Sequence, residues 1–425
     1  MTEKFPVKLS RRAAVQAIGL AGAAALVAPA AAQAPAVRKR VTLSYWTWTD
    51  NPGHQKLLVD VVDGFNKSQD MITIQLDAGS RTMEVRQKVM VAYAAGAAPD
   101  IAGAVQTHVQ DYFDSGVLWP VEPFFSKWDE KDDYFPNIVS FMRSKPSQPV
   151  LYMPGRILPY VLYYRADWFD EAKVAPPKSY DEFIEAARRL TKPDEHVGYA
   201  MRGVDYYAVQ PIEPIWGSAG VQFVEPNGTV DFASPAAVSV TAKWVGMFTK
   251  DKSAQSTAVN DGYPQLFSLM ERGKAAMWIY GTHASPQLNT ALGDRIQVVP
   301  TPNVGPRQCM LANPEGDFIT TSCKEKEAAW TFLQFMASSK AGTLAQGRGF
   351  LPVRKSLSAD PAIQDNRFFK VASANAANWW TPPFYAKNWA IYQDRIAPYW
   401  QQALRQEITP KQWNEQAAKF LRGDV

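Results

Sequence analysis

The residues able to do covalent chemistry are few and badly spaced for it. The chain holds four histidines, His54, His108, His196 and His283, and no two stand at a metal-ligating interval. No nucleophile elbow, phosphate loop or complete dinucleotide fingerprint is present, because Gly347-Arg348-Gly349 lacks the third glycine. An acid pair for glycoside hydrolysis cannot be picked out, since Asp50 is the one carboxylate in an expected ligand loop. Cys309 and Cys323 either pair in an oxidising compartment or stay as two buried thiols, and with no soft ligand nearby no metal site is expected. Neither catalysis nor a cofactor is expected. What the chain has in surplus is aromatic surface, with 14 Trp and 17 Tyr. Such rings fill cores; they also stack on the C–H faces of a ligand whose hydroxyl rim is held by Asp, Gln or Arg.

Periodicity predicts the elements that would position these rings. Residues 41–46 alternate as a first strand and run into Thr47-Trp48-Thr49-Asp50-Asn51-Pro52-Gly53, a loop dense in aromatic and polar groups. Residues 57–65 have helical spacing and 72–76 alternate again. This opening predicts a doubly wound α/β sheet, whose ligands meet the loops after the carboxyl ends of strands. A helix over 85–95 and a strand over 100–105 follow, with Gln106 and Thr107 at the strand end. Ser179 with Glu182 three residues later marks a helix start. Helices are expected over 236–248, 263–272 and 325–336, strands over 274–280 and 296–300, and a loop over 211–220 around Trp216.

At 425 residues the chain is too long for one ordinary core, which predicts two domains. The stretch 151–170 is where the chain would pass between them. An extended, Pro/Gly-punctuated piece from Leu151 to Arg156 feeds the apolar run Tyr160-Val161-Leu162-Tyr163-Tyr164, and a turn into a helix follows at Trp168-Phe169. At the other end, Ser10-Arg11-Arg12 precedes a mild Ala/Gly-rich run over 13–32 and resembles a twin-arginine export signal, too weakly apolar for a membrane span. Lys4, Lys8, Arg11 and Arg12 against Glu3 carry most of the net charge of +4, so the basic balance gives nucleic-acid binding no support.

Seven short motifs occur in order along the mature chain. They are Ala95-Gly96-Ala97-Ala98-Pro99-Asp100-Ile101, Gly116-Val117-Leu118-Trp119-Pro120-Val121, Leu162-Tyr163-Tyr164-Arg165-Ala166-Asp167-Trp168-Phe169, Pro176-Pro177-Lys178-Ser179-Tyr180-Asp181-Glu182-Phe183, Gly273-Lys274-Ala275-Ala276-Met277, Ala328-Ala329-Trp330-Thr331-Phe332-Leu333 and Leu351-Pro352-Val353-Arg354-Lys355-Ser356. The set resembles the extracellular solute-binding proteins of ABC importers, in the maltose-binding-protein-like carbohydrate family. The resemblance implies an α/β fold of two doubly wound lobes joined by crossing hinge strands, the periplasmic binding protein type II arrangement. It divides the chain into an export signal over 1–36, a first lobe over 37–152 plus 312–352, a second over 153–301 plus 360–425, and hinge links at 302–311 and 353–359. It implies a periplasmic, non-enzymatic, monomeric protein that captures a carbohydrate or sugar derivative for inner-membrane ABC permease subunits. An anionic polyol or sugar is the alternative ligand, and a secreted glycosidase the alternative class. The ligand residues it implies are Trp46, Trp48, Asp50, Gln106, Thr107, Arg156, Trp216, Gly281, Thr282, His283, Arg348, Gly349, Trp380 and Tyr385. Relatives often read Gly-x-Trp where this chain reads Gly281-Thr282-His283, so a hydrogen-bonding imidazole is expected there in place of a stacking ring.

Overall fold

The computed structural model describes residues 39–49, 52–80, 82–145, 147–225, 228–338, 344 and 349–424. The export signal, Asp50 and Arg348 lie outside the described residues. The strands are β1 (Val41–Trp48), β2 (Ile72–Ser80), β3 (Ile101–Val105), β4 (Leu118–Trp119), β5 (Met153–Arg165), β6 (Val197–Tyr199), β7 (Ala275–Gly281), β8 (Ile296–Pro300), β9 (Met310–Thr320), β10 (Leu351–Pro352) and β11 (Trp379–Trp380). The main path runs β2-β1-β3-β9-β5-β7-β6. β1 lies parallel to β2 and β3, β9 runs antiparallel between β3 and β5, and β5 is antiparallel to β7 and β8.

The β5 strand is the hinge of this topology. Its residues Met153–Pro159 pair with β9 in the first sheet, and from Tyr160 onward it pairs with β7 and β8 in the second. The extended piece and the apolar run read separately in the sequence are one strand of 13 residues. Pro154 and Pro159 break the alternation, and a register shift between Pro154 and Arg156 absorbs the irregularity as a bulge does. The β9 strand went unread for a similar reason. The strand starts at Met310, at the end of the expected link 302–311, and is a central strand carrying Pro314, a residue usually confined to sheet edges. β10 lies against Ile157 and Arg156, and β11 against Met310 and Leu311, so four segments run side by side where the chain changes sheets.

Most expected elements form where periodicity placed them. Helices cover Pro52–Ser68, Thr82–Ala94, Pro235–Thr249, Tyr263–Glu271 and Lys326–Met336. Ser179 caps the helix Tyr180–Arg189 in a full capping box with Glu182. The expected loop over 211–220 is instead a turn, Gln210–Ile212, and a short helix, Glu213–Ser218, each with a proline at its start. That helix turns Trp216 inward. Cys309 and Cys323 are buried and free. They flank the two ends of β9, whose 11 residues span about 35 Å, far beyond disulfide reach.

Candidate functional site

The carboxyl ends of β1 and β3 reach one edge of the first sheet, and β9 runs back past them toward β5. Along β9, Asn313, Glu315 and Asp317 share one face, because side chains alternate. Arg156 of β5 stands directly opposite Glu315, and its Nε donates to Glu315 Oε2 at 2.9 Å in a buried ion pair. The Arg156 guanidinium lies 5.4 Å from the Trp48 ring and 5.8 Å from the Phe350 ring. Burial raises the Glu315 carboxyl and Arg156 opposes the rise. Two residues along, Asp317 accepts the Tyr45 hydroxyl at 2.6 Å, and burial pushes its carboxyl up to about 6.

On the elements that meet here, five buried side-chain atoms have no hydrogen-bond partner among the described residues: Gln106 Oε1, Tyr152 Oη, Thr282 Oγ1, His283 Nδ1 and Asn313 Oδ1. Gln106 follows Val105, whose ladder partner is Glu315, and the charge of Glu315 reaches the Tyr152 phenol. His283 closes the ring from the second sheet. Its imidazole lies 6.1 Å from Phe350 and 4.9 Å from Tyr280. Burial lowers its pKa to about 4, so at neutral pH it offers a hydrogen-bonding imidazole and no positive charge. Gly349 makes this closure sterically possible. Its φ is +78°, and an added Cβ would stand 2.5 Å from His283 Cα and 2.8 Å from the Thr282 carbonyl. Each buried polar atom left unpaired costs about 1–3 kcal/mol, and five of the described residues' unpaired atoms belong to the elements that meet here.

The opposite wall was missed in the sequence. The turn 202–208 presents Tyr207, 49% exposed, with the Arg202 guanidinium 5.2 Å from its ring and paired with Asp205. Burial raises the Tyr207 phenol, Asp205 adds to this, and the Glu315 carboxylate contributes from the first sheet. Asp205-Tyr206-Tyr207 has the same acid-plus-aromatic makeup as the first loop, which is the signal that would have found it.

Of the residues expected at the site, Trp48, Gln106, Arg156, Gly281, Thr282, His283 and Gly349 come together at this seam. Trp46 sits at the end of β1, partly exposed, with Lys88 Nζ 4.2 Å over its ring. Thr107 is partly exposed at the start of the helix Gln106–Asp114. Trp380 is partly exposed beside the start of β9, 5.9 Å from Phe223, and Tyr385 lies partly exposed beyond it. Trp216 is a correction. It is fully buried, stacked 5.5 Å from Trp413, with its indole N–H shared between the Ala237 carbonyl and Thr241 Oγ1. It has no surface to offer a ligand. Away from the seam, a groove of about 410 Å³ between the helices Tyr180–Arg189 and Pro235–Thr249 is lined by charges that pair among themselves, Arg188 with Glu185 and Asp251, and Lys243 with Asp181.

The profile of a family described as bacterial extracellular solute-binding protein matches residues 50–343. Similar solved structures include the maltose-bound MalE3 of T. maritima, at 18% identity and TM-score 0.77, covering 90% of this chain and 100% of that one. The sugar-binding protein MalE of the phytopathogen Xanthomonas citri aligns at 15% identity and TM-score 0.78, covering 90% and 98%. An ABC transporter solute-binding protein from Thermotoga lettingae, bound with alpha-D-tagatose, aligns at 19% identity and TM-score 0.76, covering 90% and 99%. At these identities the likeness is one of fold. No curated protein sequence matches the chain.

Proposed function

The chain belongs to the bacterial extracellular solute-binding proteins, and we propose that it is the capturing component of an ABC importer for a carbohydrate, handing it to inner-membrane permease subunits without chemical change. One observation supports the ligand class: on the elements that meet at the Arg156–Glu315 pair, whose guanidinium lies against Trp48 and Phe350, five buried polar atoms have no partner among the described residues. Hydroxyl groups of a sugar would satisfy Gln106, Tyr152, Thr282, His283 and Asn313, while Tyr207, Trp46 and Trp380 stack on its C–H faces and Thr107 borders the rim. The sheets on either side of Pro159 are the two lobes. They close by bending at β5, the start of β9 and the segment 349–361. The protein works as an exported, periplasmic monomer, and the twin-arginine leader would deliver it already folded.

A neutral sugar fits better than an anionic one. Among the described residues, both arginines that face the seam are already engaged by carboxylates, Arg156 by Glu315 and Arg202 by Asp205. His283 adds no charge near neutral pH. The test is a thermal-shift panel on the mature protein with mono-, di- and oligosaccharides, polyols, and phosphorylated or sulfonated sugars. A ligand that binds only the folded state at a hundred times its Kd adds about 2.7 kcal/mol, which raises Tm by several degrees. A rise with neutral members alone upholds the reading, a rise with anionic members alone replaces the ligand class, and no rise with any member overturns it.

A further inference from the structure

Glu213 is a carboxylate with no solvent exposure, placed directly behind the Tyr207 turn. Its Oε1 accepts the Tyr206 hydroxyl at 2.7 Å, and its buried Oε2 has no partner among the described residues. The titratable groups that face it are phenols: Tyr206 from the turn, Tyr392 from the helix Trp389–Leu404, and Tyr160 from β5. Among the described residues no cation acts on it, and burial holds its carboxyl well above the ordinary range. One turn earlier, Gln210 accepts the Tyr160 hydroxyl. Residues 210 and 213 thus hold two tyrosines on the flanks of the turn that carries Tyr207.

That turn is strained. Asp205 sits at φ 54° and ψ 179°, a region normally left to glycine, and its side chain accepts the Tyr207 N–H at 2.9 Å. Such a backbone persists only where its surroundings over-determine it. Tyr206 is the inward anchor, its ring 6.1 Å from Tyr392 and 5.7 Å from Tyr207, while Tyr207 faces the seam.

We infer that Glu213 is a positioning residue: as a buried neutral acid it anchors Tyr206 and so fixes Tyr207 at the ligand seam, and loss of its proton releases the turn. On ionisation the proton passes to solvent, and the pocket keeps a charge served by one hydrogen-bond donor. Opening the turn to water relieves that charge at the least structural cost, because the turn is already strained. The anchoring itself does not depend on what binds; its effect on affinity rests on the carbohydrate reading above.

Backbone hydrogen exchange of residues 202–212 in the mature protein, corrected for intrinsic rate and followed from pH 6 to pH 10, tests this. In the wild type, protection is expected to fall as pH rises, by no more than tenfold per unit, the limit for one proton. Glu213→Gln keeps the acceptor and cannot ionise, so its profile is expected to stay flat. Coincident profiles would overturn the inference. Tyr206→Phe removes the anchoring hydroxyl alone and is expected to lower protection of the same residues about fivefold to tenfold at pH 6; unchanged protection would also overturn it. Maltotriose affinity is measured on the same proteins by calorimetry. Divergent exchange profiles without maltotriose binding uphold the anchor and count against the carbohydrate reading, whereas maltotriose binding with coincident profiles does the reverse.

Discussion

Two regions of this molecule are rich in aromatic rings, and they use them in opposite ways. In the second lobe, Trp216, Trp413, Phe232, Phe223 and Trp389 pack ring against ring, with centroids 4.7–6.0 Å apart. At the seam, Trp48 and Phe350 flank a buried guanidinium, Tyr207 stands half exposed, and unpaired polar atoms sit on the elements that meet there. A tryptophan count therefore says little about a ligand. Unpaired polar atoms do not separate the two, since the Trp389 and Trp413 indole N–H groups of the packed region also lack partners among the described residues; what differs is that the seam rings border a buried ion pair and that Tyr207 keeps exposed surface. If the comparison holds, substitutions in the first region cost stability and spare recognition, and those in the second do the reverse.

The largest effect is expected at Trp216. Trp216→Ala removes a fully buried indole and its hydrogen bonds, and should cost about 3–5 kcal/mol in urea unfolding, with Trp413→Ala similar. Ligand affinity of the folded fraction should be unchanged. Lost affinity at unchanged stability would put Trp216 back in the site and erase the contrast.

Next comes the ion pair at the strand crossing. Arg156→Met leaves a buried carboxylate without its cation and is expected to cost about 3 kcal/mol. The double variant Arg156→Met with Glu315→Leu should recover most of that stability, since apolar replacements of buried pairs are often neutral or better. Binding should not recover with it. A double variant that regains both would make the pair purely structural.

The pH dependence separates the two sides of the site. The Asp317 carboxyl is raised in the fold, so its favourable contribution is complete below its ordinary value of 3.8 and is lost as pH rises through about 6. Asp317→Asn should therefore stabilise the protein above pH 6, by at most about 3 kcal/mol, and do nothing below pH 4. The buried imidazoles have the opposite sign. His54 and His108 are lowered to about 3 and His283 to about 4, so each contributes stability above 6.5 that is lost as pH falls through the window down to those values. Urea titrations at pH 4.5 and 7.5 on wild type and Asp317→Asn would expose both trends.

How much of this was legible follows from local chemistry. The alternating residues of β1 and β2, the short apolar run of β3 and the Ser179–Glu182 box sit in simple patterns, and the loops at the ends of β1 and β3 led directly to Trp48 and Gln106. β5 and β9, the strands that bear Arg156 and Glu315, carry Pro154, Pro159 and Pro314 at central positions, so β5 reads as an extended piece and a separate short strand, and β9 gives no strand signal. Trp216 misled for the converse reason: Pro211, Pro214, Gly217 and Gly220 look like a surface loop, but a six-residue helix folds the ring into the core. The acid-plus-aromatic makeup of Asp205-Tyr206-Tyr207 is legible in the sequence, but the turn that aims Tyr207 depends on Glu213 and Asp205 acting together, a tertiary arrangement without a periodic signature.

The smallest stability effect and the sharpest division fall on Tyr207. Its ring is 49% exposed and packs on Arg202 without belonging to the core, so Tyr207→Ala should change unfolding stability by no more than about 0.5 kcal/mol. The same substitution removes an exposed aromatic face of the second lobe that feels the charge of Glu315. Loss of one aromatic contact is worth about 0.5–1.5 kcal/mol beyond its area, and with the lost area the Kd for the sugar identified by the thermal-shift panel should rise tenfold or more. Tyr207→Phe, which keeps the face and drops the hydroxyl, should retain most of the affinity if stacking dominates and lose it if the hydroxyl is the contact. Trp216→Ala and Tyr207→Ala, measured side by side, then form a double dissociation between stability and binding. Should Tyr207→Ala unfold the protein instead, the turn would belong to the core, and the half-exposed ring would be packing and not recognition.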